Sequence, residues 1–232
     1  MQERGPDKIP FRQDGAGQRS GEPPPTIEQI VARCGDGRLV DGSVCAKEFR
    51  LFLGVQSAAT LARYANYCVV VRFAIRTAVL ADITNEMGRR LGYEVAPAPY
   101  VVAGAPPPAS GCWRRGSFEL HVVATATNPP RVDLDKLFAA GMTAEGDRPV
   151  MRATARFAVI TGRHDTTAIR ARLGGHPHRS LLRLLTIDGL TRMVAIAEEV
   201  RGTDRTQNIR GILTPGDQTV RSLRGLPDAG RG

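Results

Sequence analysis

The sequence lacks the features of membrane, secreted and disulfide-rich proteins. It contains no run of 18 apolar residues, so we expect no transmembrane helix and no membrane partner. Its beginning lacks the apolar stretch of a secretory signal. Its four cysteines are spaced 11, 23 and 44 residues apart, without the close pairs of a zinc site or the density of a disulfide scaffold. These absences predict a reduced, cytoplasmic protein.

Lysine is also scarce, whereas arginine is abundant. Only three of the 32 basic residues are lysines, and the formal net charge is +9. Arginine guanidinium groups form forked contacts with phosphate or carboxylate, so this balance favours an anionic partner such as nucleic acid.

The motifs of several enzyme classes are missing as well. The sequence contains neither G-x-S-x-G nor G-x-x-x-x-G-K-[ST], so neither acyl transfer nor nucleotide hydrolysis has support. Cys112 precedes the single tryptophan, and no histidine partner for it is recognisable in the sequence. His176 and His178 flank a proline with no Cys or carboxylate nearby, which favours an exposed pair over a metal site.

Composition divides the chain into four regions. Residues 1–25 mix both charge signs with Gly and Pro, which predicts a disordered tail. From Thr26, a helix N-cap, apolar residues at helical spacing predict a helical extension over 26–74. A core of helices and strands follows over 75–200, and a basic, partly disordered tail follows over 201–232.

The core pattern predicts an α/β fold. Apolar spacing favours a helix over 77–91, a final helix over 188–200, and strands over 117–125, 154–161 and 181–187. Alternation of helices and strands predicts a mixed central sheet flanked by helices. The first of these strands alternates between two faces, one with Phe118, Leu120, Val122 and Ala124 and the other with Glu119, His121, Val123 and Thr125.

Several blocks of this core resemble restriction-endonuclease-like domains of the PD-(D/E)XK nuclease superfamily. The blocks are LADITNEMGRRLGYEV at 80–95, Trp113 with the apolar strand after it, RVDLDKL at 131–137, FAVITGRHDTTAIRARLGG at 157–175 and HRSLLRLLTIDGL at 178–190. The sequence looks most like bacterial members of this group that carry a helical N-terminal extension. The resemblance implies a restriction-endonuclease-like core.

The resemblance also implies a metal-dependent nuclease site. In that group an Asp and a Glu on the next strand hold a divalent cation, and a Lys two residues beyond the Glu orients the attacking water. The corresponding positions here are Ser110, Val123 and Thr125. None of them supplies the missing charge, since a hard cation such as Mg²⁺ prefers carboxylate oxygens. We therefore predict a catalytically degenerate domain with no catalytic residue and no cofactor.

An active nuclease with displaced carboxylates is the alternative. Glu119 and His121 share a predicted strand face with the degenerate positions, and Asp82 or Glu86 would then supply a further ligand for Mg²⁺. Asp82 and Glu86 are four residues apart and are expected on a helix side away from the apolar stripe. Such a site would be displaced by roughly 13 Å along the strand, which is more than a metal–phosphate assembly absorbs.

Nucleic acid is the predicted partner. Arg114 and Arg115 precede the degenerate strand, Arg131 follows it, and His178 precedes the last predicted strand. Proteins of the superfamily that this sequence resembles carry Arg and His at the positions of Arg131 and His178. We expect these four side chains to contact a phosphate backbone, with an affinity that falls as salt rises. A non-catalytic interaction or assembly module, with a protein partner or as a homodimer, is a further alternative.

Overall fold

The computed structural model describes residues 24–100, 109–127, 132–145, 148–162 and 166–199. Within these ranges the chain forms seven α-helices, one short 3-10 helix and seven strands. The predicted fold class is confirmed, because a mixed sheet is flanked by helices and preceded by a helical segment. The predicted tails lie outside the described residues, except for residues 24 and 25.

Three helices precede the sheet: α1 (Ile27–Arg33), α2 (Val44–Gly54) and α3 (Ala58–Val70). Each begins after a hydroxyl side chain that accepts a hydrogen bond from a backbone N–H of the first turn, namely Thr26, Ser43 and Ser57. Such caps satisfy donors that the helix itself leaves unpaired, which explains where each helix starts. The predicted N-cap at Thr26 is confirmed.

The fourth helix, α4 (Arg76–Arg90), lies between the sheet and the N-terminal helices. Leu80, Ile83 and Met87 pack in the main hydrophobic core, and α2 and α3 cover the other side of α4. Asp82 and Glu86 were expected on a side away from the apolar stripe, yet both are buried. The helical segment covers that side, so α4 is enclosed on nearly every side over residues 82–88.

Seven strands and three further α-helices follow. The strands are β1 (Glu94–Pro97), β2 (Gly111–Arg115), β3 (Phe118–Thr125), β4 (Met142–Glu145), β5 (Arg148–Met151), β6 (Ala155–Thr161) and β7 (Leu182–Thr186). The helices are α5 (Leu134–Ala139), α6 (Thr167–Leu173) and α7 (Ile187–Glu199). The sheet order is β1-β2-β3-β6-β7, with antiparallel pairing among the first three strands and parallel pairing among the last three. β4 and β5 form a separate hairpin.

The sheet has two buried faces. The α4 face is covered by α4, α7 and the N-terminal helices, and it buries Phe118, Leu120, Val122 and Ala124 of β3. The α5 face is covered by α5 and α6, and it includes Val123 of β3 and Phe157 of β6. The alternation predicted along β3 is therefore confirmed. None of the helices in the described ranges is long and apolar enough to cross a membrane.

Four strands were not predicted from the sequence: β1, β2, β4 and β5. Each has only four or five residues, and β1 and β5 contain a proline. Such segments carry no clear period-two pattern, because β-propensity depends on the neighbours a strand finds in the sheet. β1 and β2 matter for the site, because β2 places a second set of side chains beside β3.

Candidate functional site

Ser110 is the degenerate position that immediately precedes β2. Its hydroxyl oxygen accepts a hydrogen bond from the Ala124 backbone N–H at 2.8 Å. Its carbonyl oxygen accepts one from the Asn85 side-chain amide at 2.9 Å. The residue is buried, with 4% of its surface exposed. Ser110 therefore connects β2, β3 and α4, and its hydroxyl is engaged within the protein.

The other two degenerate positions lie on the α5 face of β3. Val123 is part of the apolar cluster on that face. Thr125 is buried, and its hydroxyl lies 2.9 Å from that of Thr127. Neither side chain is ionisable, so the three degenerate positions supply no charged ligand.

Asn85 is a structural residue that the sequence reasoning missed. Besides donating to Ser110, its side-chain oxygen accepts a hydrogen bond from the Trp113 indole N–H at 3.0 Å. Both Asn85 and Trp113 are fully buried. One amide thus satisfies the buried indole donor of Trp113 and gives the Ser110 carbonyl a second partner beside the Ala98 backbone N–H.

A polar cluster lies at the other end of β3, also on the α5 face. One carboxylate oxygen of Glu119 accepts hydrogen bonds from the Cys112 thiol and from the guanidinium of Arg114, both at 3.2 Å. A guanidinium nitrogen of Arg152 lies 3.2 Å from the same oxygen, and the His121 Nε2 atom lies 3.4 Å from it. We call these five residues the Glu119 cluster.

The hairpin between β2 and β3 assembles most of this cluster. Its register places Cys112 opposite His121 and Arg114 opposite Glu119. The sequence reasoning paired Glu119 with His121 but found no histidine near Cys112; the register places His121 opposite it, while the thiol itself donates to Glu119. Gly116, with a φ of 56°, opens the turn of this hairpin. A Gly-Ser pair between two short strands is a hairpin signal, and it would have predicted this register.

Burial sets the protonation states of the cluster. Burial, and next the hydrogen bond to Glu119, raises the pKa of the Cys112 thiol to about 12, so the thiol stays protonated at neutral pH. Burial also lowers the pKa of His121, although the Glu119 carboxylate acts in the opposite direction. For Glu119 itself burial opposes ionisation, but hydrogen bonds from Cys112 and Arg114 outweigh it and lower its pKa. The cluster therefore contains an anionic Glu119 between two arginines, a neutral imidazole and a neutral thiol.

The Arg152 contact favours one tautomer of His121. An Arg152 guanidinium nitrogen lies 3.2 Å from His121 Nε2. Arginine only donates hydrogen bonds, so this contact favours an Nε2 that accepts, with the ring proton on Nδ1. The same arginine donates to the backbone carbonyls of Ala140 and Gly141, which hold it in place.

Asp82 and Glu86 do not join this cluster. Both belong to α4 on the α4 face, whereas Glu119 is on the α5 face, so the sheet separates them. Glu86 forms ion pairs with Arg89 at 3.1 Å and Arg90 at 3.3 Å. The structure does not assemble the ligand set considered for a displaced nuclease site.

Asp82 belongs to a separate buried network. It forms an ion pair with Arg50 of α2 at 2.9 Å and accepts a hydrogen bond from the Tyr100 hydroxyl. Burial raises the pKa of Asp82 above its ordinary value, although Tyr100 and Arg50 act in the opposite direction.

This raised pKa predicts a pH dependence of stability. The folded protein holds the Asp82 proton at a pH where the unfolded chain has released it, so the contribution of Asp82 to stability falls as pH rises through that interval. The unfolded chain releases this proton at about pH 4, so above that pH the unfolding free energy of Asp82→Asn should fall less, or rise more, with pH than that of the wild type, measured by urea denaturation. Asp188→Asn, which removes an exposed carboxylate of α7, should leave the wild-type pH dependence in place. An unchanged slope in Asp82→Asn would contradict the assignment.

Of the four residues predicted to contact nucleic acid, the three in the described ranges lie on both faces of the sheet. Arg114 is exposed on the α5 face, while the Arg115 guanidinium lies beside Gly92 at the end of α4 on the opposite face. His178 is half-buried, and its ring lies 5.6 Å from that of Phe138 on the α5 face. Arg131 lies outside the described residues.

His176 and His178 form a packed pair rather than an exposed one. The His176 ring stacks on Phe138 at 4.3 Å, and its Nδ1 atom accepts a hydrogen bond from the His178 backbone N–H. The sequence reasoning expected no carboxylate near this pair, yet Asp135 lies 3.4 Å from His176 Nε2. Three strands and the helix α6 lie between Asp135 and this histidine pair along the chain, so the contact could not be seen from the sequence.

An arginine-rich stretch borders the α5 face. Residues 166–187, which we call the arginine segment, contain four arginines and no Asp or Glu. Arg170, Arg172 and Arg179 are exposed. Each donates one hydrogen bond within the protein: Arg170 to the Thr166 hydroxyl, Arg172 to the Val132 carbonyl and Arg179 to the Gly174 carbonyl. Among the described residues, no carboxylate lies within 4.0 Å of these three guanidinium groups.

No protein-family model matches this sequence, and no curated protein matches it. The PD-(D/E)XK resemblance therefore remains a prediction, and the function has to be inferred from the geometry.

Proposed function

We propose that this protein is a non-catalytic domain that binds the phosphate backbone of nucleic acid through its arginine segment. The observation that carries the proposal is the absence of any carboxylate between residues 166 and 187, beside three exposed arginines. On its resemblance to the PD-(D/E)XK superfamily, we propose that this domain is a degenerate restriction-endonuclease-like domain. The segment lies in the second half of the core, apart from the degenerate positions.

The anchoring of these arginines supports phosphate binding. Each guanidinium group has five N–H donors, and each of the three uses one within the protein. Anchoring to a carbonyl or hydroxyl limits side-chain motion without neutralising the charge. The remaining donors suit forked contacts with phosphate oxygens, and the net charge of +9 adds a long-range attraction.

The composition of the degenerate positions supports a non-catalytic role. Ser110, Val123 and Thr125 are buried and supply no carboxylate. The one acidic residue on the same face of β3, Glu119, is already paired with two arginines. We place this function in the cytoplasm. The four cysteines are free thiols, which suits a reducing compartment.

The test is the salt dependence of binding to labelled duplex DNA and duplex RNA, followed by fluorescence anisotropy. We expect dissociation constants of roughly 10⁻⁴–10⁻⁶ M at physiological salt. Each phosphate contact contributes about 0.9 to the slope of log affinity against log salt on DNA. A variant with Arg170→Ala, Arg172→Ala and Arg179→Ala should therefore bind weakly on every sequence, with a slope smaller by about 2–3.

A variant with Arg33→Ala, Arg38→Ala and Arg63→Ala is the matched control. It removes the same charge from exposed positions on and near α1 and α3. Equal losses of affinity in the two triple variants would show that binding depends only on net charge. That result would contradict a binding site on the arginine segment. Absence of binding to either duplex at low salt would overturn nucleic-acid binding. Metal-dependent cleavage that Glu119→Ala abolishes would overturn the non-catalytic assignment.

A protein-interaction module is the second candidate, and one surface favours it. Val44, Leu51 and Val55 are 59%, 57% and 61% exposed. Their spacing of seven and four residues places them along one side of α2. Self-association measured by light scattering, and abolished by Leu51→Ser, would favour a homodimer formed through this side.

A further inference from the structure

We infer that Cys112, Glu119 and His121 form a binding site for a thiophilic divalent cation, with Zn²⁺ as the best match. One donor atom from each of the three residues lies within 4.8 Å of the others. Glu119 and His121 are buried, and Cys112 is half-buried. This site is independent of the proposed nucleic-acid function, because it uses none of the three exposed arginines of the arginine segment.

Two of the three distances between donors are close to those of tetrahedral coordination. Zn²⁺ binds sulfur at ~2.3 Å and nitrogen or oxygen at ~2.0–2.2 Å, which for tetrahedral angles implies donor–donor separations of roughly 3.3–3.6 Å. The Cys112 sulfur lies 3.2 Å from a Glu119 oxygen, and the His121 Nε2 atom lies 3.4 Å from the same oxygen. The three donors themselves are therefore close enough to share a cation, once the two arginines that now contact Glu119 have moved.

The donor set selects the class of cation. Sulfur and imidazole nitrogen are ligands of Zn²⁺ and similar transition metals, whereas Mg²⁺ and Ca²⁺ prefer sites made of oxygen. Three protein ligands leave a fourth position for water. The Cys112 side of the cluster provides access, because this residue is half-buried and its neighbour Arg114 is exposed.

Part of the site is already arranged for a metal. In the tautomer that the Arg152 contact favours, the Nε2 lone pair of His121 is the one available to a cation. The imidazole stacks against Phe157 with ring centroids 5.4 Å apart, which limits its rotation. The β2–β3 register, rather than a flexible loop, positions Cys112 opposite this ring.

Binding requires three changes in the cluster. The thiol S–H bond breaks as the sulfur–metal bond forms, and the proton leaves to water. Arg114, whose side chain is 54% exposed, moves away from Glu119 into solvent. Arg152 releases Glu119 and His121 but keeps its hydrogen bonds to the carbonyls of Ala140 and Gly141. The thiolate and the carboxylate together neutralise the two charges of the cation.

The first experiment titrates the full-length, chelator-treated protein with Co²⁺, which reports on coordination by its absorption spectrum. We expect one bound Co²⁺ with visible bands of tetrahedral intensity and a near-ultraviolet thiolate-to-cobalt charge-transfer band, and we expect Zn²⁺ to displace it. Cys112→Ser should remove the charge-transfer band and weaken Zn²⁺ binding by more than about 100-fold, beyond the range for loss of an outer partner. Cys68→Ala, which removes a buried thiol in the main core, should leave the band unchanged.

Arg114→Ala is the second test, chosen because this side chain is exposed and its removal leaves the core intact. Removal of a positive charge that contacts Glu119 should tighten Zn²⁺ binding by about two- to fivefold, the effect of one exposed charge pair. Arg63→Ala, an exposed arginine of α3, should not change the affinity. A charge-transfer band that persists in Cys112→Ser, or is absent from the wild-type protein, would overturn the proposal. A Zn²⁺ affinity that is the same in Arg114→Ala as in the wild type would also overturn the proposal.

Discussion

Gly88→Val should lower the free energy of unfolding by about 3 kcal/mol, because no space exists for a side chain at this position. A Cβ atom on Gly88 would lie 2.6 Å from a ring atom of Trp113 and within 2.9 Å of two more. Trp113 cannot move away, because it is fully buried and its indole N–H is bonded to Asn85. Either α4 or the strand β2 has to shift, and both pack in the main core.

Gly54→Val is the matched control for this prediction. Gly54 also lies in a helix, but no atom lies within 4 Å of its added Cβ. We expect a change within about 0.5 kcal/mol for this exposed substitution. Unfolding can be followed by the fluorescence of the single tryptophan, which contacts Gly88 directly. A Gly88→Val protein as stable as the wild type would contradict the packing of α4 against Trp113.

Asn85→Ala should lower the free energy of unfolding by about 2 kcal/mol, through loss of hydrogen bonds rather than overlap. The substitution leaves the buried Trp113 indole N–H without its partner, whereas the Ser110 carbonyl keeps its hydrogen bond from the Ala98 backbone N–H at 3.0 Å. An unpaired buried polar group costs about 1–3 kcal/mol, and one such group results here. Asn66→Ala, at an exposed position of α3, should have little effect.

A double-mutant cycle separates the two hydrogen bonds of Asn85. In a Trp113→Phe background the indole N–H is absent, so Asn85→Ala should cost less than it does in the wild type. The difference, measured by chemical denaturation, reports the Asn85–Trp113 contribution. Equal costs in both backgrounds would show that this hydrogen bond does not stabilise the fold.

The two proposed sites occupy the same half of the molecule but differ in their chemistry. The arginine segment combines exposed guanidinium groups with an absence of carboxylates. In the Glu119 cluster the carboxylate and the imidazole are buried, and the two arginines are paired with the carboxylate. The first arrangement suits a large anion with many contacts, and the second suits a small cation that replaces the arginines.

Local sequence patterns were sufficient for the longest elements of this fold. The helical spacing over 77–91 and the strand spacing over 117–125 match α4 and β3 to within one residue at each end. The strands predicted over 154–161 and 181–187 match β6 and β7 in the same way. These segments are long enough for the spacing of apolar residues to reveal which face is buried. The alternation of residues along β3 also predicted which side chains share a face, and it placed Glu119 and His121 on the same face.

Contacts between distant segments decided the rest. Asp82 and Glu86 are buried because α2 and α3 cover the outer side of α4, and nothing in the local pattern of α4 indicates such a cover. Cys112 reaches Glu119 and His121 through strand pairing, and Arg152 reaches them from the connection between β5 and β6. Spacing along the chain reports which residues share a face. Which faces meet depends on strand register and helix packing, and these are set by the whole core.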